Sequence, residues 1–146
     1  MCSFNRIPLP DYHTLVSPAS RETFGRLLDI PDRALMLLAT NIRAKRFGLV
    51  TRSSRVTQRI VGTLHVSHIV QLDDTSIVIR VPAAARDGDL SHSAEAALQS
   101  QAATLELGMS GSAGPQLYQF DTTSDNEIAA PYICTSYVPQ QNLRNS

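Results

Sequence analysis

The sequence predicts an α+β domain: an N-terminal helix pair, a mainly antiparallel β-sheet from about residue 49, and one inserted helix near residues 90–103. Three observations carry that prediction. Apolar residues recur at helical spacing before residue 48, Val, Ile and Thr dominate from Leu49 to Val81, and an alanine-rich stretch follows Pro82. With 146 residues the chain fits a single domain, 1–146, able to bury a core without disulfide or metal staples.

The first helix is expected over about 18–29. Ser17 offers an N-cap hydroxyl, Pro18 suits the first helical position, and Phe24, Leu27 and Leu28 follow at helical spacing. Pro31 interrupts the pattern. Ala34, Leu35, Leu38, Ala39 and Ile42 then make a second apolar stripe that ends at Phe47-Gly48, where glycine can terminate a helix. The link "LLDIPDRA" is centred on proline, which argues against a helix-turn-helix reading head.

Within the strand region, "TLHVSHIVQLDDTSIVIRV" (Thr63 to Val81) reads as a β-hairpin reversing at Asp73-Asp74. Alternation along a strand places Leu64, Val66, His68, Val70 and Leu72 on one side and His65, Ser67 and Ile69 on the other. His65 and His68 therefore do not share a metal ion. His68, on the apolar side, is expected as a core or interface histidine. Further along, Asp89 or Ser91 can cap a helix whose thin apolar face is Leu90, Ala94, Ala97 and Leu98. "GMSGSAGP" reads as a loop, and "QLYQFDT" and "PYICTSYVP" as two strands separated by the polar "TSDNE".

Composition excludes several classes. No apolar run approaches the roughly 18 residues of a membrane span, and the N-terminal "MCSFNRIPLPDYHTL" has no charged region followed by an apolar one, so a soluble, cytoplasmic protein is expected. The only cysteines are Cys2 and Cys134, too few for a disulfide framework or a cysteine metal site, so free thiols are expected and no cofactor. Gly108-Met109-Ser110-Gly111-Ser112 lacks the last glycine of a nucleophile elbow. A P-loop needs a lysine, and the single lysine, Lys45, lies far upstream of that loop. Cys134 falls in a strand, where a thiol usually behaves as a small hydrophobe. No catalytic residue is assigned; an enzyme would need His68 or His13 to meet Cys134 or an acid.

What remains is charge. The net formal charge is zero, yet residues 33–72 carry seven cations and no carboxylate, while residues 83–146 have a net charge of −5. Arg outnumbers Lys twelve to one, which suits multidentate contacts at interfaces. Arg43, Lys45, Arg46, Arg52, Arg55 and Arg59 are the candidate contact residues, with Phe47 available for stacking. Arg52, Arg55 and Arg59 are expected to face outward, brought together by a turn or bulge near Ser53-Ser54. The expected function is that of a non-enzymatic, self-assembling structural or interaction protein, such as a small viral coat or virion-associated subunit, forming homo-oligomers or larger assemblies without a membrane. The alternative is an RNA- or DNA-binding module using residues 43–59.

Overall fold

The computed structural model describes residues 18–86, 90–108 and 115–138. Helix α1 spans Pro18–Phe24 and tightens into a 3₁₀ turn over Gly25–Asp29; α2 spans Asp32–Phe47. Three strands follow, β1 (Ser54–Val61), β2 (His65–Leu72) and β3 (Thr75–Pro82). A short 3₁₀ turn at Ala83–Ala85 leads toward α3 (His92–Gly108), and β4 (Leu117–Asp121) and β5 (Tyr132–Ser136) complete the described chain. The strands form one antiparallel sheet in the order β1-β2-β3-β5-β4. The fold is α+β, with the helix pair, the sheet and the inserted helix in the expected places.

Helix α2 starts where Pro31 sets an extended backbone and its carbonyl accepts from the N–H groups of Ala34 and Leu35. It stops at Gly48, whose φ of 67° lets its N–H close on Ala44 O at 2.9 Å. The proposed Ser17 cap lies outside the described residues, as does Asp89. For α3 the cap is Ser91, whose Oγ accepts from Ala94 N–H at 3.2 Å.

The main core lies between the helix pair and one face of the sheet. Phe24, Leu27, Leu28, Leu35, Leu38 and Ile42 meet Val66, Val70, Leu72, Ile77, Ile79, Val81 and Cys134 there. On the other face the apolar side of α3 packs on the β5-β4 end, through Leu98 and Ala102 against Leu117 and Ile133, while its Gln101 reaches His65 of β2. The buried stripe of α3 therefore runs to Leu98, Ala102 and the half-buried Leu105; Ala97, expected on it, is exposed. The helix continues beyond Ala103 to Gly108 because Leu105 extends the apolar face by one turn.

The hairpin reverses at Asp73-Asp74 as expected, with Leu72 opposite Thr75 and Asp73 at φ 57°. His65 and His68 project to opposite faces. Leu64 does not join the apolar side: it sits in the β1–β2 turn, which Gly62 closes by donating to His65 O at 2.8 Å. A Cβ at Gly62 would lie 3.2 Å from that oxygen, a tight contact that the turn would relieve by a shift of a few tenths of an ångström.

Candidate interaction surface

Asp73 is more than a turn former. Its carboxylate accepts from Arg52 N–H and Ser53 N–H, at 3.2 and 3.0 Å from Oδ1, and pairs with Arg43 at 2.9 Å. Its own N–H donates to Ser53 O at 2.8 Å. The bond to Arg43, helped by the two backbone donors, holds the Asp73 carboxyl below the usual carboxylate range. This bracket keeps residues 49–53 out of the sheet, so the strand expected from Leu49 begins at Ser54.

Arg59 is also turned inward. In an unbroken strand Arg55 and Arg59 would share a face, but the register shifts between Val56 and Gln58. Arg55 consequently lies opposite Gln71 and donates to its side chain at 3.2 Å. Arg59 lies opposite His68 on the helix-pair face, where it donates to His68 Nδ1 at 3.3 Å and pairs with Asp32. The expected bulge near Ser53-Ser54 is thus displaced, and it separates the two arginines. The two inward cations of the basic stretch, Arg43 and Arg59, are taken by Asp73 and Asp32, the carboxylates that flank residues 33–72 in sequence.

His68 is fully buried, and burial, reinforced by the Arg59 guanidinium, pushes its pKa down to about 3. Because Nδ1 accepts from Arg59, the ring proton sits on Nε2, which is buried without a partner among the described residues. Cys134 is buried in β5, and burial pushes its thiol up, away from the thiolate a nucleophile requires. These two groups are packed for structure. Among the described residues no cluster of three or more His, Cys, Asp or Glu is placed to hold a metal ion, and no helix is long and apolar enough to cross a membrane.

Lys45, Arg46, Arg52 and Arg55 remain exposed, and none makes an ion pair among the described residues. Three of them flank an apolar ridge: Phe47 is 49% exposed, Leu49 47% and Val50 85%. Phe47 packs edge-on against Tyr118 of β4, with ring centroids 5.1 Å apart. Beside the ridge a cavity of about 240 Å³ opens between the end of α2 and the sheet, lined by Ile42, Phe47, Leu49, Leu72, Ile77 and Tyr118 among others. The expected contact stretch thus divides into an inner pair that builds the fold and an outer set around an apolar knob and hole. Leu49 and Val50 are not legible as a knob in the sequence, because "FGLV" reads as the end of a helix and the start of a strand.

Arginine is used elsewhere as a backbone clamp. Arg26 donates to the carbonyls of Arg86 and Ala129, at 3.2 and 3.0 Å, while Arg86 donates back to Glu22 O. Such multidentate roles suit a planar guanidinium and give the Arg bias a structural use. No protein-family model matches the chain, and no curated protein or solved structure matches it.

Proposed function

We propose that the chain is a non-enzymatic interaction protein that associates with copies of itself through the end of the molecule formed by Phe47, Leu49 and Val50. The observation that carries this reading is the juxtaposition of an 85% exposed Val50 with an apolar cavity lined by its neighbour Leu49. A surface holding both knob and hole is self-complementary, as a two-fold interface requires. Exposed apolar patches rimmed by polar residues are characteristic of protein contacts, with Arg favoured there and Lys rarer. Lys45, Arg46 and Arg52 supply the cationic rim. Glu106 and Asp125, exposed acids from the negative half of the sequence, are their available complement in a second copy. Exposed ion pairs contribute only about 0–1 kcal/mol each, so the apolar contact supplies affinity and the charges set register.

Sedimentation of the wild type and of Val50→Asp, at low and high salt, tests the reading. The wild type is expected to associate and Val50→Asp to sediment as a folded monomer. A defined dimer makes the chain a small interaction protein, whereas a large closed particle makes it a coat-type subunit. A wild type that stays monomeric at every concentration overturns the proposal. A species that carries co-purified nucleic acid and sheds it with salt supports instead the nucleic-acid reading through the same cations.

A further inference from the structure

We infer that the opposite side of the molecule, where β2 and β3 pass beside α3, holds a binding site for a small tetrahedral oxyanion, of the phosphate or phosphate-monoester class. The site is a cleft of about 300 Å³ lined by His65, Arg80, Ser100, Gln101, Thr104 and Leu105. It lies apart from the Phe47–Val50 end and does not depend on self-association.

The placement follows from register and helical spacing. His65 pairs with Pro82 and Ser67 with Arg80 across β2 and β3, so His65 and Arg80 are diagonal neighbours on the face that α3 approaches. Residues 100, 101, 104 and 105 form one face of α3, and Leu105, half-buried in the minor core, anchors that face above the sheet. The result is a guanidinium and an imidazole facing a wall of hydroxyl and amide groups.

Its charge balance points to an anion. Arg80 is half-buried and makes no ion pair among the described residues, in contrast to Arg43 and Arg59, which both found carboxylates. The α3 wall brings no acid: Ser100, Gln101 and Thr104 are neutral. A half-buried guanidinium without a counter-charge, beside groups that can donate hydrogen bonds, has the composition of an oxyanion receptor. Thr104 Oγ1 already donates to Ser100 O at 2.9 Å, so the α3 donors left for a ligand are the Ser100 hydroxyl and the Gln101 amide.

His65 adds a proton-dependent element. Burial first, and then the charge of Arg80, lower its pKa, while a hydrogen bond with Gln101 opposes the shift. Arg80 from β3 is the charged group acting on it, and the α3 residues that line the cleft are neutral, with Glu95 of α3 bonded instead to Thr122 and Glu106 lining a separate hollow beside β4. An anion bound between His65 and Arg80 reverses the sign of that local field, so binding and protonation of His65 reinforce each other.

The test is a titration of the ¹⁵N-labelled full chain with inorganic phosphate at low ionic strength, following the amides of residues 65–67, 79–81 and 100–105. Saturable shifts confined to these segments are expected, weakened about tenfold or more by Arg80→Gln, and unchanged by replacing Lys45 and Arg52 with Gln. Methyl phosphate and acetate separate the ligand classes: the first is expected to match phosphate and the second to bind far more weakly. A carboxylate that binds equally well overturns the tetrahedral assignment. Sulfate, whose charge is constant over the range, provides the pH arm. Its binding should tighten a few-fold from about pH 7.5 to about pH 5.5, and His65→Asn should flatten that response. Shifts that spread over the exposed cations at residues 45–55, or that persist in Arg80→Gln, overturn the proposal. Should Arg80→Gln prove misfolded, Ser100→Ala with Gln101→Ala on the exposed side of α3 gives the same test, with a several-fold loss expected.

Discussion

The two faces of the sheet are built differently. The helix-pair face is a continuous apolar layer from Phe24 through Ile42 against β2, β3 and β5, with Val56 and Val61 of β1 and Tyr118 of β4 half-buried at its margins and His68 and Arg59 sealed into its edge. On the other face, α3 covers one end with Leu98 and Ala102, and the β1-β2 end carries half-buried or exposed polar side chains such as Ser67, Gln71, Arg55 and Gln58. The comparison teaches that stability is concentrated on one side of the sheet. The other side is free to present polar groups, and it is there that Arg80 stands without a carboxylate partner among the described residues.

The sharpest way to break this comparison is a pair of equivalent truncations. Leu38 and Leu98 are almost equally buried, at 1% and 3%, so burial alone predicts equal losses. If the helix-pair face carries the stability, Leu38→Ala should cost about 4 kcal/mol and Leu98→Ala about 2, read from denaturant midpoints at constant m. Equal losses would show that the thin face supports the fold as much as the thick one.

The second prediction uses pH. The folded pKa of His68, about 3, lies below its ordinary value of 6.5, so the unfolded chain binds more protons between those limits. Stability is therefore full above about pH 6.5 and falls as pH drops toward 3, by something of the order of 3 kcal/mol once local relaxation is allowed for. His68→Leu should lose this acid dependence. At neutral pH its stability should change little, because removing the orphaned Nε2 donor offsets the acceptor lost to Arg59. An unchanged acid slope in the variant would place the sensitivity in the carboxylates instead.

The smallest effect belongs to the exit from α2. Gly48→Ala forces a Cβ into left-handed backbone at φ 67°, in otherwise open space, and should cost about 1 kcal/mol in thermal or denaturant unfolding. A neutral result would mean that the Asp73 bracket tolerates another path for residues 48–53.

The legibility of these features in the sequence follows their range. The α2 stripe and its glycine stop, the Asp73-Asp74 reversal and the Ser91 cap depend on neighbours a few residues away, so local pattern is enough to place them. Asp73 accepting from Arg52 and Ser53 joins residues some twenty apart, which no periodicity encodes. The fate of Arg59 was hidden for a different reason. One shift of register between Val56 and Gln58 inverts every side chain beyond it, so the parity that pairs Arg55 with Arg59 in sequence separates them in space. The cleft at Arg80 needed the sheet register and the placement of α3 together.

The strand order has a consequence for biosynthesis. The helix pair and the β1-β2-β3 meander are complete by residue 82, but the partner of β3 on its other edge is β5, where Arg80 meets Ile133. At synthesis rates of about 5–20 residues per second, the 53 residues from Val81 to Ile133 take about 3–10 s to be made. For that interval a nearly finished core presents the unpaired edge of Ile77, Val78, Ile79 and Arg80. The nascent chain thus passes through a stage in which its most apolar strand is also its least protected, and slowing translation between residues 83 and 131 should lower the soluble yield without altering the finished protein.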